Sequence, residues 1–202
     1  MKILELFCGT KSFSKVAQEN GHQTFTIDNI ASFNPDLCID VMNLDLSQLP
    51  FKPDIIWASP PCQAFSVATI GRNWNIDKSP KTEHAKQSIK LLEKTIAIIK
   101  ELKPKYFFIE NPRAMMRTLP IMKEFKRNTI TYCQYGDSRM KPTDIFNNCN
   151  AWISKTCCLP KAKCHISAPR GSRTGTQGLK NATERGVVPK ELCLEILNAC
   201  KN

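Results

Sequence analysis

The sequence predicts an α/β domain, a doubly wound and mostly parallel sheet with a small Cys-rich irregular insert near its carboxyl end. Three observations carry that expectation. Short apolar runs recur through residues 1–147, as strands buried on both faces of a sheet do. Between two of them, Ile89, Leu92, Ile96 and Ile99 fall at helical spacing. The apolar runs break into Gly, Pro, Asp or Asn, at the sheet edge where open α/β folds gather their ligand-binding loops.

Taken in order, Lys2–Phe7 reads as the first strand and runs into Cys8-Gly9-Thr10-Lys11-Ser12-Phe13-Ser14. Small residues at such a strand-to-helix turn let the backbone approach a ligand. Ser14–Asn20 reads as the helix, stopped by Gly21, and Lys11 stands where a dinucleotide fingerprint would have a glycine. Thr24–Ile27 reads as a second strand ending at Asp28-Asn29, where an acid is placed to accept hydrogen bonds from a ribose diol, or is simply an exposed turn residue. Cys38-Ile39-Asp40-Val41 is a third short strand with its own acid.

The fourth strand lies in Pro53–Ala58, and there the chain breaks sharply. Pro60-Pro61 cannot continue a ladder, so Cys62 is presented on a loop at the strand's carboxyl end. Residues 66–81 are polar and irregular and predict a mobile loop beside that edge. Ser88–Leu102 predicts a helix ended by Lys103-Pro104. Tyr106–Ile109 is a fifth strand, which delivers Glu110-Asn111-Pro112-Arg113 to the same edge as Cys62. Met115–Lys126 predicts a helix interrupted at Pro120, and Thr129–Tyr135 a sixth strand. Residues 148–178 show no period, and Val188–Ala199 predicts a closing helix with Pro189 at its start.

The composition narrows the class further. At 202 residues the chain can bury one sizeable core. It has no run apolar enough to span a membrane, and its first residues go straight into a strand, so neither a membrane span nor a signal peptide is expected. Ten cysteines spread through an α/β pattern fit a reducing cytoplasm better than a disulfide scaffold. A formal charge of +11, concentrated towards the carboxyl end, points to a polyanionic partner, with a merely solvated surface as the alternative.

A cysteine and a glutamate delivered by two strand tips suit one chemistry. A thiolate can add to an electron-poor ring while an acid protonates a ring nitrogen. An ordinary thiol ionises near pH ~8.5, so the site must favour the thiolate, through helix amides after Pro61 or a nearby Arg.

With these residues in view, Ser59-Pro60-Pro61-Cys62-Gln63-Ala64-Phe65-Ser66 together with Glu110-Asn111-Pro112 resembles the cytosine-C5 DNA methyltransferase family. Glu5-Leu6-Phe7-Cys8-Gly9 is similar to its opening cofactor motif, and Glu184-Arg185-Gly186-Val187-Val188-Pro189 to its last. The resemblance covers residues 1–147 and 178–200. It implies that Cys62 attacks C6 of a flipped-out cytosine, that Glu110 holds and protonates N3, and that C5 takes a methyl group from S-adenosylmethionine. The cofactor would lie against Phe7, Gly9, Thr10 and Ser12, with Asp28 and Asn29 at the ribose, Asp40 and Val41 near the adenine, and Pro61 and Leu91 beside it.

The departures from the family pattern are specific. Lys11 replaces a glycine, and Gly186 stands where an asparagine is usual. The basic pair after the sixth strand is shifted to Arg139 and Lys141, of which Arg139 is expected to be the cation beside Glu110. Where the family usually has a large recognition domain, this chain has only residues 148–178, between a catalytic core (1–147) and a closing helix (179–202) expected to pack back on that core. Cys149, Cys158, Cys164 and His165 could bind a structural zinc that orders the segment, with free thiols as the alternative. Arg170 and Arg173, among small residues of the stretch 169–178, suit a loop that tracks phosphates. The expectation is a monomeric, cytoplasmic DNA methyltransferase. RNA as substrate, or a non-catalytic DNA-binding regulator on the same scaffold, are the alternatives.

Overall fold

The computed structural model describes residues 1–159, 162–167 and 181–201. A seven-stranded sheet runs through it, from β1 (Lys2–Leu6), β2 (Gln23–Asp28), β3 (Leu37–Cys38) and β4 (Ile55–Ala58) to β5 (Tyr106–Pro112), β6 (Lys126–Thr131) and β7 (Pro142–Asn147). The spatial order is β3-β2-β1-β4-β5-β7-β6. All neighbours pair in parallel except β7, which lies antiparallel between β5 and β6. The order reverses beside β1, so the loops after β1 and β4 meet at the switch point where such sheets hold ligands.

The strands are buried on both faces because alternate residues face opposite layers. Leu4, Ile56 and Phe107 pack with Leu92, Ile96 and Ile99 of α3 (Glu83–Leu102). Their neighbours Ile3, Ile55 and Phe108 pack on the other side. There they meet Phe13 and Val16 of α1 (Ser12–Glu19) and Leu192 and Ile196 of α5 (Lys190–Ala199). Phe13 stacks on Trp57 with ring centroids 4.6 Å apart. Thr82 caps α3 by accepting the Ala85 N–H, and Lys103 closes it in the left-handed conformation.

Several expectations are corrected. Met115–Lys126 is no helix with a break: two 3-10 turns, Met115–Thr118 and Pro120–Met122, precede β6. Pro120 has no N–H for a continuous helix. The sixth strand sits at Lys126–Thr131, and the next residues coil into a 3-10 turn, Tyr132–Tyr135. β3 is only two residues long, because Asp40 leaves the sheet to cap a turn at Val41–Asn43. β7 has no continuous apolar signature in the sequence because its buried positions include Thr143, Asp144 and Asn147. Their polar groups are satisfied inside the fold: Arg117 donates to both carboxylate oxygens of Asp144, at 2.8 and 2.6 Å.

The segment after Cys62 is not irregular throughout. It contains α2 (Ile70–Asn73), and Trp74 is buried with its indole N–H donating to the Ala64 carbonyl at 2.7 Å. Val67 and Ile76 stay exposed on it. A short helix, α4 (Ala182–Gly186), precedes α5.

Candidate active site

Adjacent strand tips bring Cys62 and Glu110 together. β4 and β5 pair in parallel with Ala58 opposite Ile109, so Glu110 is one residue beyond that register and Cys62 follows the turn-forming prolines. A hydrogen bond locks the two tips: Asn111 Nδ2 donates to the carbonyl of Pro60 at 2.9 Å. A second tie comes from the Met115 N–H to the Phe65 carbonyl at 3.0 Å. No helix starts at Pro61. A turn follows at residues 63–65, with the Phe65 and Ser66 N–H groups both donating to the Cys62 carbonyl, so the expected helix amides are not what faces the thiol.

Glu110 is buried and accepts at Oε1 from the Tyr132 hydroxyl at 3.0 Å. The cation beside it is Lys141, whose Nζ lies 3.5 Å from Oε1 and 3.4 Å from the Tyr132 oxygen. This corrects the expectation for Arg139. That guanidinium is spent on the Asp137 carboxylate and on the carbonyls of Glu184, Arg185 and Val187. It therefore staples the approach to α5 rather than facing Glu110. Lys141 also donates to the Arg185 carbonyl at 3.2 Å, so both cations grip the same turn. In the sequence Tyr132 lies within a stretch that predicts strand, and its place beside Glu110 depends on the 3-10 turn that follows β6.

The charges pull on Cys62 in opposite senses. Burial and the Glu110 carboxylate push its thiol pKa up, while Lys141 and Arg185 draw it down, with a net upward shift. Tyr132 is likewise held well above its ordinary value, first by burial and then by Glu110.

The loop after β1 turns through left-handed backbone at Phe7, Gly9 and Lys11. Lys11 thus adopts the conformation that a glycine takes more cheaply. A Cβ on Gly9 would meet nothing within 4 Å, so the loop is open to a ligand on that side. Asp28 is buried, and its two oxygens accept the N–H groups of Gly9 at 2.9 Å and Ile30 at 3.0 Å, with lone pairs to spare. Asn29 and Asp40 are exposed, Val41 is buried, Pro61 is exposed and Leu91 is half-buried on α3. Asp40 Oδ1 accepts the Met42 N–H at 2.9 Å. Ser12 shares a bond with Thr10 and accepts the Val188 N–H at 3.1 Å, joining the first loop to the turn before α5. An open cavity of about 730 Å³ lies along that junction, lined by Thr10, Ser12, Tyr135, Asp137 and Val188.

The predicted metal set does not assemble as expected. Cys149 is fully buried against Cys200 in the α5 layer, because Trp152 and the end of β7 draw that stretch into the core. Cys158, Cys164 and His165 do come together, and Cys133 is their fourth neighbour; these four could hold a metal ion. Arg170 and Arg173 lie outside the described residues.

Comparison with known proteins agrees with the geometry. The family model for C-5 cytosine-specific DNA methylase matches residues 1–128. A Frog virus 3 (isolate Goorha) protein named "Probable DNA (cytosine-5)-methyltransferase" is 32% identical over 218 residues, covering 99% of this chain and 100% of the relative. The chain belongs to the C-5 cytosine-specific DNA methylase family. Among solved structures, the Entamoeba histolytica methyltransferase EhMeth superposes with a TM-score of 0.52 at 13% identity, over 73% of this chain and 52% of that one. That likeness concerns the fold. This family member spans about half the length of the solved structures it matches.

Proposed function

We propose that this chain transfers a methyl group from S-adenosylmethionine to C5 of cytosine in DNA, as a monomer in the cytoplasm, acting on a base flipped out of the duplex. Family membership sets the reaction class. The observation that carries the assignment of residues is the Asn111–Pro60 clamp, which holds the Cys62 loop against the strand tip bearing Glu110.

Cys62 supplies the nucleophile. Its sulfur forms a bond to C6 once the thiol has lost its proton, and Lys141 and Arg185 are the charges that favour that loss. Glu110, oriented by the Tyr132 hydroxyl and Lys141, takes up the proton that the thiol gives up and passes it to N3, so that the addition of sulfur at C6 leaves the ring electron-rich at C5. S-adenosylmethionine, when bound, supplies the electrophilic methyl group that C5 accepts. N3 then returns its proton to Glu110, and loss of the C5 proton to solvent expels Cys62 as thiolate and restores the ring. The open face of Gly9, with Asp28 ending β2 and Asp40 two residues beyond β3, fits that cofactor: Phe7, Thr10 and Ser12 would line it, Asp28 and Asn29 would meet the ribose, Asp40 and Val41 the adenine, and Pro61 and Leu91 the rest of its rim.

The test is tritium transfer from labelled cofactor to DNA and RNA of matched sequence. Transfer to DNA, with a covalent adduct on 5-fluorocytosine DNA that disappears in Cys62→Ala, is the expected result. Transfer to RNA alone replaces the substrate, and an adduct that survives Cys62→Ala overturns the mechanism.

A further inference from the structure

Residues 153–167 carry no helix or strand among those described, and none of them is buried. Ile153, Leu159 and Ile166 are 86%, 77% and 66% exposed. A segment with no core of its own has little to offset the entropy of ordering it. Yet it follows a defined path along β6, the edge strand of the sheet. Asn128 donates to Ser154 at 3.1 Å, the Cys157 thiol reaches the Thr129 carbonyl, and the Cys158 N–H donates to Thr131 at 3.0 Å. Beyond that path three of its side chains converge on one residue of the core.

Those residues are Cys158, Cys164 and His165, gathered around Cys133, with one ligand atom from each lying within 4.8 Å of all the others. His165 Nδ1 is 3.7 Å from the Cys158 sulfur and 3.6 Å from that of Cys164, and the Cys164 and Cys133 sulfurs are 3.8 Å apart. A tetrahedral zinc, with bonds of about 2.3 Å to sulfur and about 2.0 Å to nitrogen, has ligand–ligand edges of roughly 3.8 and 3.5 Å. The sulfurs of Cys133 and Cys158, at 3.1 Å, are closer than such an edge and well beyond the length of about 2.05 Å of a disulfide. Three soft thiolates and an imidazole in this geometry suit Zn²⁺ over the hard cations.

We propose that Cys133, Cys158, Cys164 and His165 bind one Zn²⁺, and that the ion fastens this Cys-rich strap to the turn that carries Tyr132, the hydrogen-bond partner of Glu110. Binding releases one proton from each of the three thiols to solvent, while His165 ligates as neutral imidazole, so the filled site carries a charge of −1. The path from the metal site to Glu110 is short. Cys133 directly follows Tyr132, whose hydroxyl holds Glu110, and the Ile166 N–H donates to the Ser138 carbonyl at 2.9 Å, next to Arg139. The metal site itself does not depend on the reaction proposed above.

Metal analysis of the full chain, purified under reducing conditions without chelator, tests the proposal. One zinc per chain is expected. Cobalt exchanged into the site is expected to show the thiolate charge-transfer and d–d bands of a tetrahedral sulfur-rich centre, which reports the ligand set even if single variants fold poorly. Cys164→Ser and Cys133→Ser should lose the metal, and Cys149→Ala should keep it. Substoichiometric zinc, a mass lower by two hydrogens from a Cys133–Cys158 disulfide, or zinc retained in Cys133→Ser but lost in Cys149→Ala each overturns it.

Discussion

Two basic residues two positions apart have separate duties, and the difference is measurable. Lys141 faces Glu110 and Tyr132 and is the first of the cations drawing the Cys62 thiol down. Replacing it in Lys141→Met removes that pull, so the Cys62 pKa rises further and the acid limb of the kcat/KM profile moves to higher pH. Activity at neutral pH falls by roughly tenfold for each unit of that shift. Arg139 touches none of the reacting groups; it neutralises Asp137 and satisfies three carbonyls before α5. Arg139→Ala leaves the Asp137 charge unpaired and should cost about 3 kcal/mol of stability, read as a lower denaturant midpoint. In the sequence both residues were visible as a shifted basic pair, but which one reaches Glu110 depends on how Tyr132–Tyr135 coils back beneath them.

At the scale of elements, the sheet carries a pH dependence of its own. Glu5 sits inside β1, buried, where burial pushes its pKa from 4.5 up to about 7 although it accepts the Ser14 N–H at 2.8 Å. The folded chain therefore binds this proton more tightly than the unfolded chain does. Stability is greatest below pH 4.5 as far as this group is concerned, declines as pH rises through the window up to about 7, and then levels. The full effect is about 3 kcal/mol at most. Urea midpoints at pH 5 and pH 8 should show wild type losing stability at the higher pH, and Glu5→Gln should flatten that difference. The joint between β4 and β5 is likewise testable. Asn111→Ala leaves the Pro60 carbonyl without its donor, at a cost of about 1–3 kcal/mol, and should lower kcat more than it raises KM because the nucleophile loses its position. These elements were legible to different degrees. β4 is apolar throughout and β1 and β5 are mainly apolar, whereas β7 hides Asp144 and Asn147 in its buried positions, so no alternation betrays it.

For the whole molecule, the formal charge of +11 predicts that DNA binding weakens steeply with salt, since each phosphate neutralised releases a counterion. A log–log plot of affinity against salt should have a slope of several negative units, and a flat plot would remove DNA as the polyanion. By itself the sequence determined the α/β class, the strand tips bearing Cys62 and Glu110, the small-residue loop after β1, the acid ending β2 and the acid just past β3. Those signals are local, because an apolar run and the break that ends it lie within a dozen residues of each other. Only the tertiary structure decided that Lys141 rather than Arg139 faces Glu110, that Tyr132 joins them, and that Cys133 rather than Cys149 completes the Cys158–Cys164–His165 cluster. Each of those choices turns on chain segments far apart in sequence, and spacing along a chain does not say which of two nearby side chains a folded core will bury and which it will leave to meet a distant partner.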